Sequence, residues 1–179
     1  AAAGATARVA TGAKETFVRA DGSKLAVRYA RRHPTGFGEA FIGAHSLTYR
    51  FDAEWRDVAE AEEARCLGFP YADKAMEAAV SRYLASLERR IDLAGGGVLL
   101  VFRRPADTVL MADMIGHLGR VPAVHVAWIV SSMMNLACYL QWAGLVHGAI
   151  APENVLVRPE RHSLVLVGGW GFSVKSGER

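Results

Sequence analysis

The chain has 179 residues, of which 51% are apolar and 22% charged, with a formal net charge of +3. That balance belongs to a folded globular chain. It excludes a disordered polyelectrolyte, and the modest charge does not by itself argue for a nucleic-acid partner. Cys66 and Cys138 lie far apart with no metal-ligand spacing, which predicts buried free thiols in a reducing compartment.

Residues 1–7 are rich in alanine but lack the apolar run of a signal peptide. Residues 1–13 are weakly patterned, with at most a strand near residues 7–10. Residues 14–20 and 24–31 flank Asp21-Gly22-Ser23 and predict a hairpin. Residues 31–47, rich in Gly, His and Pro, predict an irregular exposed loop. Within it Arg31, Arg32 and His33, together with Arg28, form a basic cluster that is either a solvated edge or a site for an anionic partner.

Residues 52–67 predict a helix, with Asp52 as N-cap, Gly68 as C-terminal stop and Pro70 beyond it. Trp55, Val58, Ala59, Cys66 and Leu67 make its apolar side, leaving Glu60, Glu62 and Glu63 as a solvated acidic face. Residues 73–85 predict a shorter helix. Residues 88–93 and 98–102 flank a glycine-rich turn and predict a second hairpin, whose continuously apolar Val98-Leu99-Leu100-Val101-Phe102 belongs inside a sheet.

Arg103-Arg104-Pro105-Ala106 breaks the pattern, and residues 108–118 predict a short amphipathic helix. Pro122 opens a long helix over residues 123–143, ended by Gly144. It is apolar around most of its circumference, so Trp128, Met133, Met134, Tyr139 and Trp142 are expected in the core. Ser131, Ser132, Asn135 and Gln141 interrupt the apolar stretch, which favours a buried helix over a membrane span.

The most informative stretch is residues 145–173, L-V-H-G-A-I-A-P-E-N-V-L-V-R-P-E-R-H-S-L-V-L-V-G-G-W-G-F-S. A polar loop, His147 to Asn154, precedes a predicted hairpin made of residues 155–157 and 164–167, and the glycine-rich turn at residues 168–171 follows. This resembles the catalytic and metal loops of the protein-kinase-like fold, H-R-D-x-K-P-x-N followed by a hairpin and D-F-G. His147-Gly148 is closer still to the H-G-D form of small-molecule kinases. His147, Pro152, Asn154 and Gly171 match, and Trp170 stands at the aromatic position. Ala149 occupies the position of the catalytic Asp and Gly169 that of the metal-binding Asp.

The resemblance implies an α+β, protein-kinase-like fold: an antiparallel β N-lobe over residues 1–102, then the start of a helical C-lobe over residues 103–179, apparently truncated. It implies a glycine-rich phosphate loop at residues 11–17, where only Gly12 is present. Leu25-Ala26-Val27-Arg28 resembles V-A-I-K, placing Arg28 at the phosphate-gripping Lys. The helix at residues 52–67 would then offer Glu60 or Glu63 to Arg28, and residues 103–106 would be the hinge. Arg28 and Asn154 are the residues left for a degenerate nucleotide site. His147 reads as a packed residue bracing its loop, and the Asn154 amide would either ligate a metal or tie down the loop.

Without carboxylates at 149 and 169 there is no base for the attacking hydroxyl and no ligand for magnesium. The resemblance therefore implies a pseudokinase with no catalytic residues, metal or cofactor, binding a protein partner in the cytoplasm. The Arg-Arg-Pro-Ala-Asp run and V-G-G-W-G-F-S are similar to kinase-like regions of phage proteins, some of which carry a J-domain, so host cytoplasm or virion is the corresponding location. No His-Pro-Asp motif is present. Two alternatives stand beside this: a viral or nucleic-acid-associated assembly component using the basic edge, and an atypical phosphotransferase using Glu153.

Overall fold

The computed structural model describes residues 12–177; the strand expected near residues 7–10 lies outside them. The described chain begins with an antiparallel ribbon, β1 (Ala13–Val18) and β2 (Lys24–Tyr29). Asp21 Oδ1 accepts a hydrogen bond from the Ser23 amide at 2.8 Å, which closes the turn between them. Residues 13–17, expected within a loop, are therefore strand, paired along this ribbon.

The stretch expected to be an irregular loop is instead sheet. β3 (Arg31–Thr35), β4 (Gly38–Ile42) and β5 (Ser46–Phe51) form an antiparallel meander. Pro34 is tolerated because β3 is an edge strand, where no second neighbour needs its missing N–H. A tight turn at residues 36–37 joins β3 to β4. Gly38 follows at φ +147°, where a side chain would run into the Arg50 carbonyl.

After a 3-10 turn, α1 (Arg56–Leu67) ends at Gly68 as expected. Asp52 begins that turn without capping it, and its carboxylate pairs with Arg50 at 3.1 Å instead. α2 (Lys74–Val80) is capped by the Asp73 carboxylate, which accepts from the Met76 amide at 2.7 Å. β6 (Leu87–Asp92) and β7 (Val98–Arg103) then complete the sheet, in the order β3-β4-β5-β7-β6.

The register gives this sheet two unlike faces. Ala40, Tyr49 and Leu100 lie in line on the inner face, flanked there by Leu47, Phe51, Val98 and Phe102. Phe41 and Leu99 belong to the outer face, where the ribbon's Phe17, Leu25, Val27 and Tyr29 cover them.

Next come β8 (Val109–Leu110), α3 (Met111–Leu118) and α4 (Ala123–Trp142). β9 (Leu145–Val146), β10 (Val155–Arg158), β11 (Ser163–Leu166) and β12 (Val174–Lys175) follow. β10 pairs with both β11 and β8, and β9 pairs with β12. One apolar core joins the inner face of the sheet and Ala59 of α1 to Leu110, Leu156, Val165 and Val167. A second joins Leu136 and Leu140 of α4 to Val157, Leu164 and Trp170.

α4 departs from its expectation. Only Ser132, Leu136 and Leu140 are buried, whereas Val124, Val130, Met134 (63%) and Trp142 (54%) are exposed. Trp128, Met133 and Tyr139 pack partly against the second core. By length and composition alone α4 is apolar enough to cross a membrane. Its apolar circumference reflects exposure on one broad side, not burial on all sides. Cys138, expected to be buried, is exposed on this helix, while Cys66 is half-buried against both cores.

Candidate functional site

The loop of residues 147–154 and the turn of residues 168–171 face each other. Gly169 sits at φ +89°, and a Cβ built on it would lie 3.0 Å from Ala149 Cβ, Asn154 Nδ2 and His147 Cε1 alike. The two positions expected to have lost carboxylates are thus neighbours, separated by a gap that cannot take even a methyl group without displacement. Among the described residues no three His, Cys, Asp or Glu side chains converge to hold a metal ion.

The loop is tied internally. Asn154 Nδ2 donates to the Ala149 carbonyl at 2.8 Å, and its Oδ1 accepts from the Tyr49 hydroxyl at 3.4 Å. Both ends of the amide are therefore engaged by protein. His147 is 3% exposed and meets Trp170 edge to face, with ring centroids 4.5 Å apart. Its Nδ1 accepts from the Ala149 amide at 3.3 Å. Burial disfavours the imidazolium and pulls its pKa down to about 4. Glu153, the one carboxylate in this loop, is exposed on a 3-10 turn.

The sheet residue that reaches this loop is Tyr49 of β5. Arg28 does not: it is exposed on β2 of the ribbon, which packs on the other face of the sheet. The Leu25–Arg28 match was one of residue type, and the inner-face strand is Leu47-Thr48-Tyr49-Arg50-Phe51. Nor do Glu60 and Glu63 meet Arg28. They pair with Arg90 of β6, at 3.1 and 2.7 Å.

The helix residue that reaches the turn is Glu62. It is 1% exposed, and its Oε2 accepts from the Gly171 amide at 2.7 Å. Burial raises its pKa to about 7, against the opposing pull of the backbone amides at residues 169–171. Three glutamates within four residues hid it, yet the spacing Trp55, Ala59, Glu62, Cys66 follows one helical stripe and puts Glu62 with the apolar side. Burial also raises the Tyr49 hydroxyl and the Cys66 thiol well above their ordinary ranges, with the Glu62 charge adding to both.

Aromatic rings fill the space between the sheet and the loops. Phe37, from the β3–β4 turn, is 7% exposed and stacks on Phe51 at 4.3 Å and 12°. It meets Tyr49 edge to face at 5.7 Å and Phe172 at 6.1 Å. Trp55 closes the other side of Phe172 at 6.2 Å. The Tyr49 ring lies against Gly168, where a Cβ would come within 2.7 Å of it. This arrangement packs the sheet against the turn, and the carboxylate that reaches the turn, Glu62, is engaged by the Gly171 amide.

Neither a scan against protein-family models nor a search of the curated proteins finds a match.

Proposed function

We propose that the chain is a degenerate kinase-like module that transfers no phosphate and acts by binding another protein, in the cytoplasm of a cell or of a phage host. The filled cleft carries this reading. His147, Ala149 and Asn154 close around Gly169, and Tyr49 bonds Asn154 and lies against Gly168, which is where a triphosphate's metal would have to sit.

Support for the kinase-like part comes from the arrangement of the elements. A helix on the inner side of an antiparallel sheet sends a glutamate to the turn that follows a hairpin. That turn faces a His-to-Asn loop. Support for the inactive part is chemical. A methyl group and a hydrogen stand at 149 and 169, and neither accepts a proton or ligates a hard cation.

Thermal unfolding with and without Mg-ATP tests the reading. A ligand at about 100 times its Kd adds about 2.7 kcal/mol, which raises the melting point of a chain this size by about 5–10 °C. The expected result is no rise in the natural protein, because the closed gap between residues 149 and 169 leaves no room for the metal. A metal-dependent rise in the natural protein overturns the proposal.

A further inference from the structure

The basic cluster drawn from the sequence, Arg28 with Arg31, Arg32 and His33, is not one surface. Arg31 pairs with Asp113 of α3, and His33 Nε2 lies 3.7 Å from the same carboxylate. Arg32 is held by Glu15 at 3.3 Å and Glu39 at 3.6 Å. Only Arg28 is left over, and the ribbon gives it new neighbours.

In β1 and β2 the sheet-facing side chains are Ala13, Glu15, Phe17, Leu25, Val27 and Tyr29; the others point away. The outward side chains are Lys14 opposite Arg28, Thr16 opposite Ala26, and Val18 opposite Lys24. That face carries three cations and no acid. None of the three makes an ion pair or side-chain hydrogen bond among the described residues. Asp21, at the turn, has its carboxylate engaged by the Ser23 amide.

We propose that this outward face of the β1–β2 ribbon binds duplex DNA through its phosphates. The shape favours that partner over a membrane. A two-stranded ribbon fits the major groove, which is about 12 Å wide. Lys14 and Arg28 stand at one end and Lys24 at the other, about 13 Å along the strands, so the cations straddle a groove edge. The side chains between them are Thr16, Val18 and Ala26; none is an aromatic or long apolar residue that could enter a bilayer.

The experiment is fluorescence anisotropy of a labelled DNA duplex across a salt series. Three neutralised phosphates give a log–log salt slope of about −2.7, or about 40-fold weaker binding between about 50 and 200 mM salt. The combined variant Lys14→Ser, Lys24→Ser, Arg28→Ser is expected to lose at least about 30-fold in affinity at the lower salt and most of the slope. Its melting point should match the natural protein, because none of the three side chains has a partner to lose. The proposal is overturned if the natural protein does not bind the duplex, or if the variant binds as well. Binding of phosphatidylserine vesicles or of poly-glutamate in place of DNA also overturns it.

Discussion

Glu62 and His147 are buried titratable groups that act on stability in opposite directions. Glu62 holds its proton to about pH 7 in the folded chain, against an ordinary value of 4.5. Between those values the folded state binds more protons than the unfolded one, so this group lowers stability as pH rises from 4.5 to about 7. His147 titrates near 4 when folded, against 6.5 ordinarily, so its contribution is lost as pH falls from 6.5 to about 4. Each shift corresponds to about 3 kcal/mol at full strength, and the two slopes largely cancel between pH 4.5 and 6.5. Glu62→Gln should expose the histidine alone, with urea midpoints that rise with pH from 4 to 6.5. His147→Gln should expose the glutamate, with midpoints that fall from 4.5 to 7. Midpoints for both variants that run parallel to the natural protein would contradict the burial of these groups.

At the scale of elements, the β3–β4 turn matters most, because it places Phe37 over Phe51 and Tyr49. Phe37→Ala should cost about 3–5 kcal/mol in urea unfolding, the range for removing a buried ring. Tyr49→Phe keeps the ring and loses only a long hydrogen bond of 3.4 Å to Asn154, so it should cost about 1 kcal/mol or less. Similar losses for both variants would mean that the hydroxyl, and not the packed rings, holds the cleft shut.

This is also the scale at which the sequence is most unevenly legible. The hairpins β6–β7 and β10–β11 stand out because apolar runs flank obvious turn residues. The β3–β4–β5 meander does not, since its edge strand carries Arg, His and Pro that look like loop. That single misreading moved the inner-face strand from β5 to β2, and with it the sheet's contribution to the site from Tyr49 to Arg28. The loop of residues 147–154 was easier to place: its register comes from local spacing, and nothing about its facing turn depends on the upper strands.

For the whole molecule, the unusual feature is α4, whose residues from Ala123 to Trp142 include no Asp, Glu, Lys or Arg and whose Val124, Val130 and Met134 are exposed. Apolar side chains already in water lose little on replacement, so Val130→Lys with Met134→Glu should change unfolding free energy by no more than about 0.5 kcal/mol. A large stability loss would instead show that these side chains are covered.

The Phe37–Phe51 stack holds the β3–β4 turn down on the sheet with the polypeptide's own atoms. On the proposed reading the closed shape would be constitutive, the same in a starved cell and an energy-rich one. A protein that recognises this shape would then receive no metabolic signal through it, and its response would be tuned by how many copies are made.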